Sequence, residues 1–245
     1  MRTSLHALLH VTGHLGSGLP GPCLLCRRWQ AQALCGDCLR RWRSPVPRCP
    51  RCASPWRATL PHLRCPHCDD PAPEFDRAIA ALDYVPPWRH LITRFKFGQW
   101  PALGRPLASL LVHAVQQRQH KVDLVLPVPV SAHRLRERGY NQAWVLAKHT
   151  AHALRVAAHG DLLQRVTQHT RLMDLDATER RQAIRGAFVL TPEGMKAVEG
   201  RHVAVVDDVL TTGVTLDEVS LVLRDAGALG VSAWVLARTP PPGWQ

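Results

Sequence analysis

The chain has 245 residues, 46% of them hydrophobic, enough to bury a large core; one domain with a small accessory module is expected. Its formal net charge of +12 favours polyanionic partners, namely nucleic acid, nucleotides or anionic lipid surfaces. No apolar run approaches the ~20 residues that span a bilayer, and residues 1–21, broken by His6, His10 and His14, lack a secretory cleavage site, so a cytoplasmic protein is expected.

All eight cysteines lie between positions 23 and 68, in four Cys-x-x-Cys pairs: Cys23/Cys26, Cys35/Cys38, Cys49/Cys52 and Cys65/Cys68. Disulfides are not expected in the cytoplasm. Each Cys-x-x-Cys turn presents two thiolates to one metal, and two turns complete a tetrahedral four-sulfur shell, so eight cysteines suit two structural zinc ions. Sequential pairing gives two stacked zinc ribbons with short loops, while interleaved pairing satisfies the same spacing. Residues 1–72 are therefore read as a cysteine-rich double zinc-ribbon module. It carries ten Arg against three Asp, and two zinc sites at −2 each leave it still basic. Trp29, Trp42 and Trp56 interleave with these arginines. Such a set suits base stacking on single-stranded nucleic acid, but a module with few aliphatic residues needs core material, and core packing is the reading adopted.

Pro71 and Pro73 mark the boundary to a second region, 73–245, where strands and helices alternate as in an α/β domain. The pattern predicts a strand over 77–84, helices over 88–97 and 102–119, and a buried strand over 122–129. A loop follows, in which Arg134, Arg136 and Arg138 alternate before Gly139, then a helix over 141–155. Short strands are predicted near 162–166 and 187–190, and 232–237 closes the sheet.

Between them lies the most informative run, Val203 to Thr215. Four apolar residues read as a strand buried on both faces and end in Asp207 and Asp208; a turn of Leu210, Thr211, Thr212, Gly213, Val214 and Thr215 then opens a helix. Such a turn directs unpaired N–H groups and the positive helix end at an anion. The two carboxylates accept hydrogen bonds from neutral hydroxyls instead. A ligand with a phosphate at one end and a vicinal diol nearby satisfies both, which describes a ribose 5-phosphate. A nucleoside triphosphate fits less well, since no Gly-x-x-x-x-Gly-Lys-[Ser/Thr] run is present. Ligands of open α/β sheets sit beyond the carboxyl ends of the strands, so the arginine loop and the aspartate turn are expected to share one crevice. Arginine forks suit pyrophosphate oxygens there.

The aspartate–threonine run resembles the phosphoribosyl-pyrophosphate (PRPP) motif of type I phosphoribosyltransferases. Taken in order, the cysteine pairs, Lys96-Phe97-Gly98, Arg138-Gly139-Tyr140-Asn141-Gln142, Gly186-Ala187-Phe188 and the aspartate run resemble the ComF/GntX (competence protein F) family, over about residues 22–237. The resemblance implies an α/β fold, a type I phosphoribosyltransferase-like parallel sheet flanked by helices, with zinc ribbons at its N-terminus. It also implies a role in natural transformation, importing single-stranded DNA alongside other DNA-uptake proteins. By position, Asp207 and Asp208 become the candidate catalytic pair that holds the ribose hydroxyls. Leu210 to Thr215 wrap the 5-phosphate, and Val130, Ser131, Arg134 and Arg138 meet pyrophosphate and its Mg²⁺. The family's Thr-x-x-Gln-x-x-Leu and Arg-x-x-Asn runs are altered here, with His169, Leu172 and Leu175 in the first and Ala183 after Arg180 in the second. The reading is a DNA-uptake factor that binds PRPP and nucleic acid. The alternative is an active Mg²⁺-dependent phosphoribosyltransferase that moves the ribose phosphate of PRPP to a nitrogen acceptor.

Overall fold

A computed structural model describes residues 20–43, 46–56, 65–68, 71–166, 186–241 and 243. Residues 1–19 and the altered segment within 167–185 lie outside the described residues. The first cysteine pair lies between the strands of a short antiparallel hairpin, β1 (Gly21–Pro22) with β2 (Trp29–Gln30), followed by α1 (Gly36–Trp42). An Arg48–Pro55 bridge and a 3-10 turn, Pro66–Cys68, carry the later cysteines. Then come β3 (Arg77–Asp83), α2 (Trp88–Phe97), α3 (Gly104–Gln117), β4 (Leu124–Pro127), α4 (Ala132–Arg138), α5 (Gln142–Leu154) and β5 (Ala157–Ala158). The chain continues through β6 (Leu163–Arg165), β7 (Phe188–Leu190), α6 (Pro192–Val198), β8 (His202–Leu210), α7 (Val214–Asp225) and β9 (Gly230–Arg238).

Five strands form a parallel sheet in the order β3-β9-β8-β4-β5. Alternation along β8 explains why it reads as an unbroken apolar run. Val203 and Val205 join one buried cluster with Leu216, Val219 and Leu223 of α7. Ala204 and Val206 join the opposite cluster, with residues of α2, α3 and α5. Helices thus cover both faces, as parallel sheets require. Among the described residues no helix is long and apolar enough to cross a membrane.

Three local expectations change. The segment predicted to close the sheet, β9, lies inside it between β3 and β8; all but its last residue are buried, and β3 and β5 are the edges. The strands near 162–166 and 187–190 pair with each other as a separate antiparallel ribbon. The arginine loop contains a short helix, α4. Ser131 caps its start, its hydroxyl accepting from Arg134 N–H at 3.3 Å, and Gly139 ends it at φ +79°.

Candidate functional site

The cysteines assemble sequentially. Cys23, Cys26, Cys35 and Cys38 form one cluster; Cys49, Cys52, Cys65 and Cys68 form the other. Four sulfurs at about 2.3 Å from one zinc stand about 3.8 Å apart. The observed separations are 3.7 Å for Cys26–Cys35, 3.8 Å for Cys49–Cys68, 3.5 Å for Cys52–Cys65 and 3.7 Å for Cys65–Cys68. Backbone N–H groups of Cys35 and Cys65 point at Cys23 and Cys49 sulfurs, which suits thiolates. The hydrogen bond with Cys52 draws Cys49 down to about 4, and the same contact pushes Cys52 far up. Thiols this close do not ionise together without a cation among them. Donor type, spacing and electrostatics therefore fit two zinc ions.

Of the three tryptophans, Trp56 packs against the second cysteine cluster. Trp29 is 71% exposed and Trp42 also reaches solvent, with the Arg41 guanidinium 4.8 Å from the Trp42 ring centre. Core packing describes Trp56 alone, because Leu24, Leu25, Leu34 and Leu39 supply the apolar contact with the sheet domain.

At the carboxyl ends of adjacent strands β4 and β8 the two predicted segments lie side by side, with Val128 N–H donating to Val206 O at 2.9 Å. Asp207 and Asp208 are adjacent toward the end of β8, Asp207 half-buried and Asp208 buried, and Asp207 Oδ1 accepts from the Asp208 N–H at 2.8 Å. Asp208 is 2% exposed; its Oδ1 pairs with Lys96 Nζ at 3.0 Å and its Oδ2 has no hydrogen-bond partner among the described residues. Burial, followed by the Asp208 carboxylate, pushes Asp207 up to about 7. Gly213 stands at φ +94°, directly before α7, in the left-handed region that suits glycine. Thr211 and Thr212 are exposed, Val214 is buried and Thr215 is half-buried. The first turn of α7 also contains Asp217, which accepts from Glu74 N–H at 2.9 Å.

Arg138 is 9% exposed, yet its Nε and Nη1 lack hydrogen-bond partners among the described residues. Its guanidinium lies 4.7 Å from the Phe97 ring centre, within electrostatic reach of Asp208 and Arg134. Its neighbours explain the rest of that motif. Tyr140 donates its hydroxyl to Phe95 O. Asn141 donates to Val128 O at 3.1 Å, and its Oδ1 caps α5, so it ties the loop after β4 to the next helix. Val130 and Ser131 are half-buried, and the Ser131 hydroxyl serves as the cap of α4.

Three further residues reach these segments. Lys96, from the end of α2, reaches Asp208; the Lys96-Phe97-Gly98 run was its signal. Arg165 of β6 lies 5.4 Å from the Phe188 ring centre and within electrostatic reach of Asp207 and Arg134. Arg238, at the end of β9, donates to Leu210 O, Thr211 O and Cys52 O. Nothing local in the sequence singled out these two arginines.

No family model matches the chain. It is 34% identical over 229 residues to DNA utilization protein YhgH of Salmonella typhimurium, which covers 90% of this chain and 98% of that protein. Identity to competence protein F of Haemophilus influenzae is 34% over 224 residues, covering 88% and 96%. Among solved structures, glutamine PRPP amidotransferase from B. subtilis, complexed with ADP and GMP, aligns with a TM-score of 0.36 at 22% identity, over 56% of this chain and 26% of that one.

Proposed function

Because the chain belongs to the competence protein F (ComF/GntX) family, we propose that it is a DNA-utilization factor whose crevice binds Mg²⁺-PRPP and whose surface binds single-stranded DNA. The observation that carries the ligand reading is a pair of buried orphans. Asp208 Oδ2 is an acceptor and Arg138 Nε and Nη1 are donors, all buried, within electrostatic reach of one another and without hydrogen-bond partners among the described residues. Leaving such groups unpaired costs about 1–3 kcal/mol each, more when charged, and a ligand offering both a diol and an anion relieves both. Asp207 and Asp208 take the ribose hydroxyls, the Leu210 to Thr215 turn takes the 5-phosphate, and Arg134 and Arg138 take the pyrophosphate. Calorimetry with Mg²⁺-PRPP tests this. Wild-type protein binds, and Asp207→Ala and Asp208→Ala abolish binding without unfolding; unchanged affinity in both variants sinks the site.

A run of exposed aromatics beside arginines supports DNA binding. Trp42 lies near the start of α2, where its carbonyl accepts from Trp88 Nε1 at 2.6 Å. At the other end, Phe97 is 63% exposed beside Arg138, and Trp100 lies under Arg94 at 4.2 Å. Arg89 and His90 are exposed on the helix between them. Stacking rings with interleaved cations bind single strands with little sequence preference and strong salt dependence. Replacing Arg89 and Arg94 by Glu should weaken oligonucleotide binding and flatten its salt slope; an unchanged slope moves the contacts elsewhere.

One observation favours the second reading, transfer of the ribose phosphate. A carboxylate titrating near 7, such as Asp207, is matched to taking a proton from a nitrogen acceptor at neutral pH. The C1–O bond to pyrophosphate breaks as the C1–N bond forms, with pyrophosphate leaving toward the arginines. Pyrophosphate release from PRPP across a panel of bases tests that reading.

A further inference from the structure

One guanidinium touches both the second cysteine cluster and the phosphate turn. Arg238 Nε donates to Cys52 O at 3.1 Å, while Nη1 donates to Leu210 O at 3.0 Å, to Thr211 O and to Thr239 O at 3.0 Å. Cys52 supplies one of the four sulfurs of the second cluster. The next residue is held by Arg48, whose Nη1 donates to Ala53 O at 3.1 Å and pairs with Asp83 at 2.7 Å. We infer that Arg238 is a positioning residue through which the second zinc site sets the conformation of the phosphate turn.

The physical reason is peptide planarity. In a trans peptide the carbonyl and the next N–H point in opposite directions. The Leu210 carbonyl also accepts from the Thr239 N–H in the strand ladder, so Arg238 acts chiefly on the Thr211 carbonyl, and holding that carbonyl toward the guanidinium turns the Thr212 N–H away from it. That N–H is a donor of the kind a phosphate needs, so orienting it before binding raises affinity without touching the ligand. Metal at the second cluster anchors Cys52. Its loss frees the carbonyl that holds the other end of Arg238, and the turn loosens. The first cluster has no such contact with the turn among the described residues.

This inference rests on reading the turn as a phosphate site, and two measurements separate the two ideas. The first is calorimetry with Mg²⁺-PRPP on full-length protein, with zinc counted per chain. Arg238→Gln should keep both zincs and weaken PRPP by about tenfold or more, as expected for losing hydrogen bonds from a charged donor, with Arg238→Lys in between. The second is amide exchange without ligand. Arg238→Gln, and likewise Cys65→Ser, should speed exchange at residues 210–213 while residues 203–206 stay protected. Cys35→Ser should leave residues 210–213 unchanged. Wild-type affinity in Arg238→Gln with both zincs retained, or unchanged exchange at residues 210–213, overturns the inference. If wild-type protein fails to bind PRPP, the phosphate reading falls while the exchange result still decides the coupling.

Discussion

The two four-cysteine regions are alike in ligands and unlike in how they are fastened. The first rests on apolar contact: Leu34 is buried in the same cluster as Trp88, Leu91 and Phe95, and Leu24, Leu25 and Leu39 pack against it. The second is held largely by directional polar bonds. Arg48 pairs with Asp83, Arg51 donates to Pro73 O and Asp76 O, and Arg238 donates to Cys52 O. Apolar burial stabilises without defining register, whereas hydrogen bonds to backbone carbonyls place particular atoms. The first region is thus fastened by burial, and the second by bonds that place the backbone of Cys52 and Ala53 relative to Leu210 and Thr211.

Metal loss is the strongest way to break this contrast, since structural zinc contributes on the order of 10 kcal/mol at neutral pH. Cys38→Ser and Cys65→Ser should each reduce zinc from about two to about one per chain. The first should give the larger fall in melting temperature, and the second the larger fall in PRPP affinity. Equal melting and equal affinity in the two variants would erase the distinction. Next in size are the fastenings themselves. Leu34→Ala should cost about 2–5 kcal/mol by truncating a core side chain, with PRPP affinity intact. Arg48→Ala strands Asp83, nearly buried at 17% exposure, and should cost about 3 kcal/mol together with weaker PRPP binding. Denaturant titration beside calorimetry reads both.

A smaller effect depends on pH. Burial and the neighbouring Asp208 carboxylate push Asp207 up to about 7 in the folded protein, above the ordinary carboxylate range. The folded state then holds a proton that the unfolded chain has released, so stability falls as pH rises from about 4 to about 7. Asp207→Asn should flatten that fall and be the more stable form above pH 7, whereas Leu34→Ala should keep the wild-type slope. Melting curves across this range decide it, and an unaltered slope in Asp207→Asn removes the assignment. Smallest is Trp42→Ala. Its exposed ring should change stability by about 0.5 kcal/mol or less while weakening single-stranded DNA binding by about 1 kcal/mol. Fluorescence anisotropy with a labelled oligonucleotide, alongside PRPP calorimetry, shows whether the two ligands respond separately.

Periodicity alone made α2 legible to the residue, and β3, β4 and β8 to within a few residues, because buried strands and amphipathic helices repeat their apolar positions locally. The start and end of α4 were also written locally, in Ser131 and Gly139, but the alternating arginines obscured them. The four Cys-x-x-Cys pairs and the Asp207-Asp208 turn likewise carry their chemistry in short spans. What tertiary structure alone decided involves groups far apart in the chain: which cysteine pairs share a shell, that Lys96 meets Asp208 across 112 residues, and that Arg238 meets Cys52 across 186. A local pattern records what a residue needs, such as burial, a cap or a metal. Which distant partner supplies it depends on strand order, and a sheet that places its last strand between β3 and β8 brings Arg238 to the carbonyls of Leu210 and Thr211 only once the chain is folded.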